Sequence, residues 1–136
     1  QYPDAEQDII ASIDYLQKLA KKSIIIWGSS YSAALVLKVG NKNDKVSAII
    51  SFSPGEYIQG TNIAESANGI SVPLFVTSSQ SEAPEVSNLV VGVIGEHKVQ
   101  FIPAGKGKHG SKALWSENEG HEEYWAALKA FLAQLQ

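Results

Sequence analysis

Over residues 4–22 the apolar positions Ile9, Ile10, Ile13, Leu16, Leu19 and Ala20 recur at three- and four-residue spacing, which places them on one face of a helix. Asp4, following Pro3, can cap its start. The next run, Ser23-Ile24-Ile25-Ile26-Trp27, does not alternate. Consecutive β-branched residues ended by Gly28 predict a strand buried on both faces, central in a parallel sheet. Residues 32–39 follow as a helix, with small Ala33 and Ala34 first, branched residues later and a C-cap expected at Gly40. Residues 46–52, 72–77 and 98–102 read as three further strands, the second carrying Pro73 near its start and the third closed by Pro103. Residues 53–71 contain Pro54, Gly55, Gly60 and Gly69 and read as loop with one short helix. Residues 82–94 fit either period, and their place between two strands assigns them to a helix. Residues 121–135 form a last helix that buries Tyr124, Trp125, Leu128, Phe131, Leu132 and Leu135.

Strands separated by helical segments imply right-handed crossovers, and so an α/β fold. The expected form is a mostly parallel sheet of about four strands flanked by helices, a three-layer sandwich. With 136 residues, no internal repeat and no linker, residues 1–136 are expected to form a single domain. A hydrophobic share of 44% against 18% charged residues excludes a disordered tail. No apolar run approaches the roughly 20 residues of a membrane span. A net charge of −3 leaves no electrostatic footprint for nucleic acid. Cysteine is absent, which removes disulfides, thiolate metal sites and a cysteine nucleophile without selecting a compartment. The chain begins at Gln1 rather than Met, as expected of a processed product or a fragment.

In parallel sheets chemistry gathers where strands end, which directs attention to the loops after Trp27, Thr77 and Ile102. Gly28-Ser29-Ser30-Tyr31-Ser32 has the form Gly-x-Ser-x-Ser at a strand-to-helix turn. A nucleophile on so sharp a turn needs small residues two before and two after it, and Gly28 and Ser32 meet that demand around Ser30. The helix that follows offers the Tyr31 N–H as an oxyanion donor. The competing reading is a polar turn whose serines cap the helix. His109 lies in the glycine-rich stretch 105–111 beyond the last strand, where a mobile imidazole can serve Ser30 as general base. An orienting carboxylate is expected after the third strand. Glu82 is the nearest, with Glu85 in reserve, although Glu82 can equally supply negative charge to the next helix start. Ser30, Glu82 and His109 occur in the order nucleophile, acid, base, which is that of one hydrolase fold and not of the chymotrypsin or subtilisin arrangements.

On these residues, with Val72-Pro73-Leu74-Phe75-Val76-Thr77 and Gly107-Lys108-His109-Gly110, the chain resembles α/β-hydrolases, in particular the dienelactone-hydrolase-like esterases. The resemblance covers nearly the whole chain but only the later, C-terminal part of that fold. It implies that the early strands, and the loop giving the second oxyanion N–H, have no counterpart here. Dienelactone hydrolases proper use cysteine, so Ser30 implies an esterase-type member. Where many members have His-Gly followed shortly by Asp, this chain has Thr77-Ser78 and then Ser81-Glu82.

Other constellations are weaker. Residues 105–112 imitate a phosphate loop, but Ser111-Lys112 stands where Lys followed by Ser/Thr is required. His97, His109 and His121 lie on different elements and do not form a zinc set. Trp27, Trp115 and Trp125, with Tyr124 and Phe131, are expected in the core, and Trp115, beside the His109 loop, is also a candidate wall of an acyl pocket. The expected function is a serine hydrolase of carboxylic esters with a small-molecule ester substrate, no metal and no organic cofactor. The alternative is a non-catalytic or truncated hydrolase-like binding domain, or an unrelated flavodoxin-like domain. Absent early strands would leave a sheet edge open, and open edges invite pairing, so a homodimer through that edge is a further expectation.

Overall fold

The computed structural model describes residues 4–20 and 23–136. Helix α1 (Ala5–Ala20) is followed by β1 (Ile24–Ser29), α2 (Tyr31–Lys42), β2 (Val46–Phe52), the short α3 (Ile63–Ser66), β3 (Leu74–Thr77), α4 (Ala83–Leu89), β4 (Lys98–Phe101), a 3-10 turn (Ser111–Leu114) and α5 (His121–Ala133). The predicted ends of the first helix at Pro3 and at residues 21–22 lie outside the described residues. The four strands form one sheet in the order β1-β2-β3-β4, all neighbours parallel. Among the described residues no helix is long and apolar enough to cross a membrane.

Two cores sandwich the sheet. On one face Ile24 and Ile26 of β1, Ile49 of β2 and Leu74 and Val76 of β3 meet Ile13 of α1, Val36 and Leu37 of α2, and Val86 and Leu89 of α4. On the other, Ile50, Phe52 and Phe75 meet Tyr124, Leu128 and Phe131 of α5 and Ala113 and Leu114 of the 3-10 turn. This is the alternation of a pleated strand, with successive side chains sent to opposite layers. The α/β, three-layer expectation holds.

Several local expectations are corrected. Strand β1 is at the sheet edge and not at its centre, and only one of its faces is covered. Ile25 and Trp27 are each 44% exposed, because α5 leaves from the β4 end and packs over β2 to β4. None of the three tryptophans belongs to the core, whereas Tyr124 and Phe131 do. Helix α2 runs past Gly40 to Lys42 and ends at Asn43. Gly40 has another reason to be small: a Cβ there would overlap the Ile49 side chain where helix and sheet approach. The segment after β3 is helical only over Ala83–Leu89 and then turns, leaving Val91 and Ile94 exposed.

Candidate active site

The loops at the carboxyl ends of β1, β2, β3 and β4 converge on one place, and each contributes a polar side chain to it. After β1, Ser30 holds a strained backbone at φ 59°, ψ −116° and makes no side-chain cap to α2. The turn is tight enough that a Cβ on Gly28 would overlap the Ser32 backbone, so glycine there is a steric requirement. Ser32 pins the turn from the other side: its Oγ accepts from the Ser29 N–H at 2.8 Å and donates to the Ser29 carbonyl at 2.9 Å. The Ser30 N–H donates to the Phe52 carbonyl at 2.9 Å, tying the turn to the end of β2. Tyr31 opens α2, so its N–H lies at the positive end of the helix.

After β4, the chain carries His109 back over that turn. His109 Nε2 lies 2.8 Å from Ser30 Oγ, and His109 Nδ1 lies 2.5 Å from Glu82 Oε2. Glu82 precedes the first residue of α4, yet its carboxylate makes no cap to that helix. Its negative charge still lies at the start of α4, and the carboxylate contacts the imidazole as well. Oε1 of the same carboxylate accepts from the Ser79 N–H at 3.0 Å, Ser79 Oγ at 2.9 Å and Ser53 Oγ at 3.0 Å. Partial burial alone would push the Glu82 carboxyl up. The hydrogen bonds from His109, Ser79 and Ser53 outweigh it and hold the group below the usual glutamate range. An ionised carboxylate only accepts, so the proton between it and the ring belongs to Nδ1, and the Nε2 lone pair faces the Ser30 hydroxyl.

The His109 loop is fastened on both sides. The Ser111 N–H donates to Ser29 Oγ at 2.9 Å, Trp27 Nε1–H donates to Ser111 Oγ at 3.2 Å, and the Gly110 N–H donates to Ser53 Oγ at 2.8 Å. Gly107 and Gly110 have φ of 67° and 75°, and a Cβ at Gly107 would overlap the Tyr124 hydroxyl. Tyr124, fully buried on α5, donates to the Ser78 carbonyl at 2.8 Å and accepts from the Lys108 N–H at 3.3 Å. Burial raises its phenol above the ordinary tyrosine value, against a smaller opposing effect of the Lys108 N–H.

The structure thus brings Ser30, His109 and Glu82 together, with Tyr31 the next residue after Ser30 and the first of α2. The reserve carboxylate Glu85 is exposed three residues further on, in the first turn of α4. Trp115, considered for an acyl pocket, is 58% exposed at the end of the 3-10 turn. The His97 ring lies tilted against Phe131 and His121 Nδ1 meets the Asn118 carbonyl, and the described residues contain no cluster of metal-ligating side chains. Ser53, Ser79 and Tyr124 escaped the sequence reading as parts of the site. For Ser53 a signal existed, because Ser53-Pro54-Gly55 directly follows a parallel strand, where ligand-handling loops are expected.

No family model and no curated protein matches the chain. Solved structures do. The esterase Pf2001 of Pyrococcus furiosus superimposes with a TM-score of 0.80 at 15% identity in one crystal form, over 98% of this chain and 62% of that one. In a second crystal form the TM-score is 0.76 at 15% identity, over 98% of this chain and 63% of that one. The esterase domain of a Rhodothermus marinus protein gives 0.68 at 14% identity, over 93% of this chain and 67% of that one. The fold is α/β-hydrolase-like. This chain spans 62% to 67% of the length of these structures. Within the α/β-hydrolase-like sheet, all four polar contributions come from loops at the carboxyl edge, the side on which such sheets meet their ligands.

Proposed function

We propose that the chain is a serine hydrolase of carboxylic esters working through an acyl-enzyme. The observation that carries this is the continuous hydrogen-bonded line from Ser30 Oγ through His109 to Glu82. His109 Nε2 takes the hydroxyl proton as Ser30 Oγ attacks the ester carbonyl, and Glu82 stabilises the imidazolium that forms. The Tyr31 N–H and the α2 dipole stabilise the tetrahedral oxyanion. As the intermediate collapses, His109 returns the proton to the departing alcohol, leaving the acyl group on Ser30. The same nitrogen then deprotonates water for attack on that acyl group, which releases the acid and restores the serine. The esterases among the similar structures favour an ester as substrate.

A hydrolase-like binding domain is the second reading, favoured by the chain's spanning only part of those esterases. Labelling with a fluorophosphonate, read by intact mass and peptide mapping, separates the two. Hydrolase chemistry predicts one adduct on Ser30, lost in Ser30→Ala and slowed by at least about 100-fold in His109→Ala, the range expected for losing a general base. A folded wild-type chain that stays unlabelled, or labelling that persists in Ser30→Ala, overturns the proposal.

A further inference from the structure

Ser53 has no step in the reaction set out above, yet it is 1% exposed and held from every side. Its N–H donates to the Thr77 carbonyl at 2.7 Å, carrying the β2–β3 pairing one residue past the strand, and its carbonyl accepts from the Tyr57 hydroxyl at 3.0 Å. Its φ of 59° lies in the left-handed region, where glycine fits without strain and serine does not. A turn with no other demand would favour glycine there. What serine adds is a hydroxyl, and both lone pair and proton are committed: Oγ accepts from the Gly110 N–H at 2.8 Å and donates to Glu82 Oε1 at 3.0 Å. The directions are forced, because an amide N–H only donates and an ionised carboxylate only accepts.

We propose that Ser53 is a positioning residue of the site, a single hydroxyl that clamps the orienting acid and the base-bearing loop to the end of β2. The clamp rests on the serine-hydrolase reading for its catalytic consequence. It turns the Glu82 carboxylate so that Oε2 faces His109 Nδ1, and it fixes the peptide next to His109 so that Nε2 faces Ser30. Ser79 also holds Oε1, but from the chain segment that carries Glu82 itself. Ser53 contacts both the Glu82 carboxylate and the His109 loop through one atom, from the end of β2.

The test compares wild type with Ser53→Ala, and with Ser53→Gly, in which the positive φ is unstrained, should the alanine variant fail to fold. Two quantities are read: the rate of fluorophosphonate labelling at Ser30, and the titration midpoint of Glu82 followed by carboxyl carbon NMR. The other titratable groups facing Glu82 are His109, Tyr57 and Tyr124, with Glu85 on the same helix. A clamp predicts labelling slowed by about 10- to 100-fold, the range for losing a group that orients a reacting side chain. It also predicts a Glu82 midpoint moved upward, because one donor to the ionised form is gone. A role in the turn alone predicts that a folded variant keeps the wild-type rate and midpoint, and that result overturns the proposal. If the wild-type chain does not label at all, the hydrolase reading fails separately, and the Glu82 midpoint alone decides whether Ser53 positions the acid.

Discussion

The two oxygens of the Glu82 carboxylate are engaged from opposite sides, Oε1 by Ser79 and Ser53 and Oε2 by His109, so the group is held in one orientation while one oxygen faces the imidazole. Its carboxyl is lower in the folded chain than an unconstrained glutamate, which fixes the sign of a pH effect. A lowered folded value means that Glu82 contributes its full stabilisation above the unfolded carboxyl range and loses it as pH falls through the folded value. The stability difference between wild type and Glu82→Gln is therefore expected to be constant near neutrality. It should close as pH falls below about 4.3, the ordinary glutamate value. Urea unfolding of both proteins from pH 7 to pH 3 checks this, and a difference that stays flat over that range contradicts it. Ser30, Glu82 and His109, which the fold brings into contact, could be singled out in the sequence because each lies in a loop that follows a strand. Ser53 stands after a strand as well, but a serine beside proline and glycine reads as an ordinary turn residue, and only its positive φ and its two partners distinguish it.

At the scale of elements, α5 reaches the site through one atom. The Tyr124 ring packs among Phe52 and Phe101, while its hydroxyl bridges the segment after β3 to the loop after β4. Tyr124→Phe keeps the ring and removes the bridge, leaving the buried Ser78 carbonyl without that donor. An unsatisfied buried group costs about 1–3 kcal/mol, so the unfolding free energy from urea denaturation should fall by that amount, and the midpoint with it, with the helix content unchanged. A midpoint equal to wild type would mean that the hydroxyl does not hold the two loops together. Helical periodicity located α1 and α5 well, because each buries one face, whereas α2, buried over Ala33–Leu37 without a break, is read from its small and branched residues after the turn. It failed for α4, where the run Val86, Leu89, Val90, Val93 is buried partly by a helix and partly by the turns that follow it. A periodic apolar pattern reports burial, and a short helix followed by turns can produce the same pattern as a longer helix.

In the molecule as a whole, one apolar core covers the sheet from β1 to β3 and the other covers the opposite face from β2 to β4, so β1 presents both an open edge and the exposed side chains of Ile25 and Trp27. Open edges offer unpaired backbone groups to another strand. Pairing of two copies through β1 predicts a concentration-dependent monomer–dimer equilibrium in sedimentation velocity, weakened by Trp27→Lys. A sedimentation coefficient independent of concentration removes the dimer. The continuous apolar run of β1 indicated burial on both faces, but the number of neighbours a strand acquires is set by strand order, which local hydrophobicity does not encode. What the sequence determined by itself was the alternation of strand and helix, the α/β class, and the loops after strands in which Ser30, Glu82 and His109 lie, because these follow from periodicity and turn chemistry over a few neighbouring residues. What the tertiary structure decided was the edge position of β1, the contact of Glu82 rather than Glu85 with His109, and the assembly of Ser53, Ser79 and Tyr124 around that pair and its loops. Those contacts join residues up to 57 positions apart, as with Gly110 and Ser53, and depend on strand order, register and backbone strain that exist only once the chain has closed on itself.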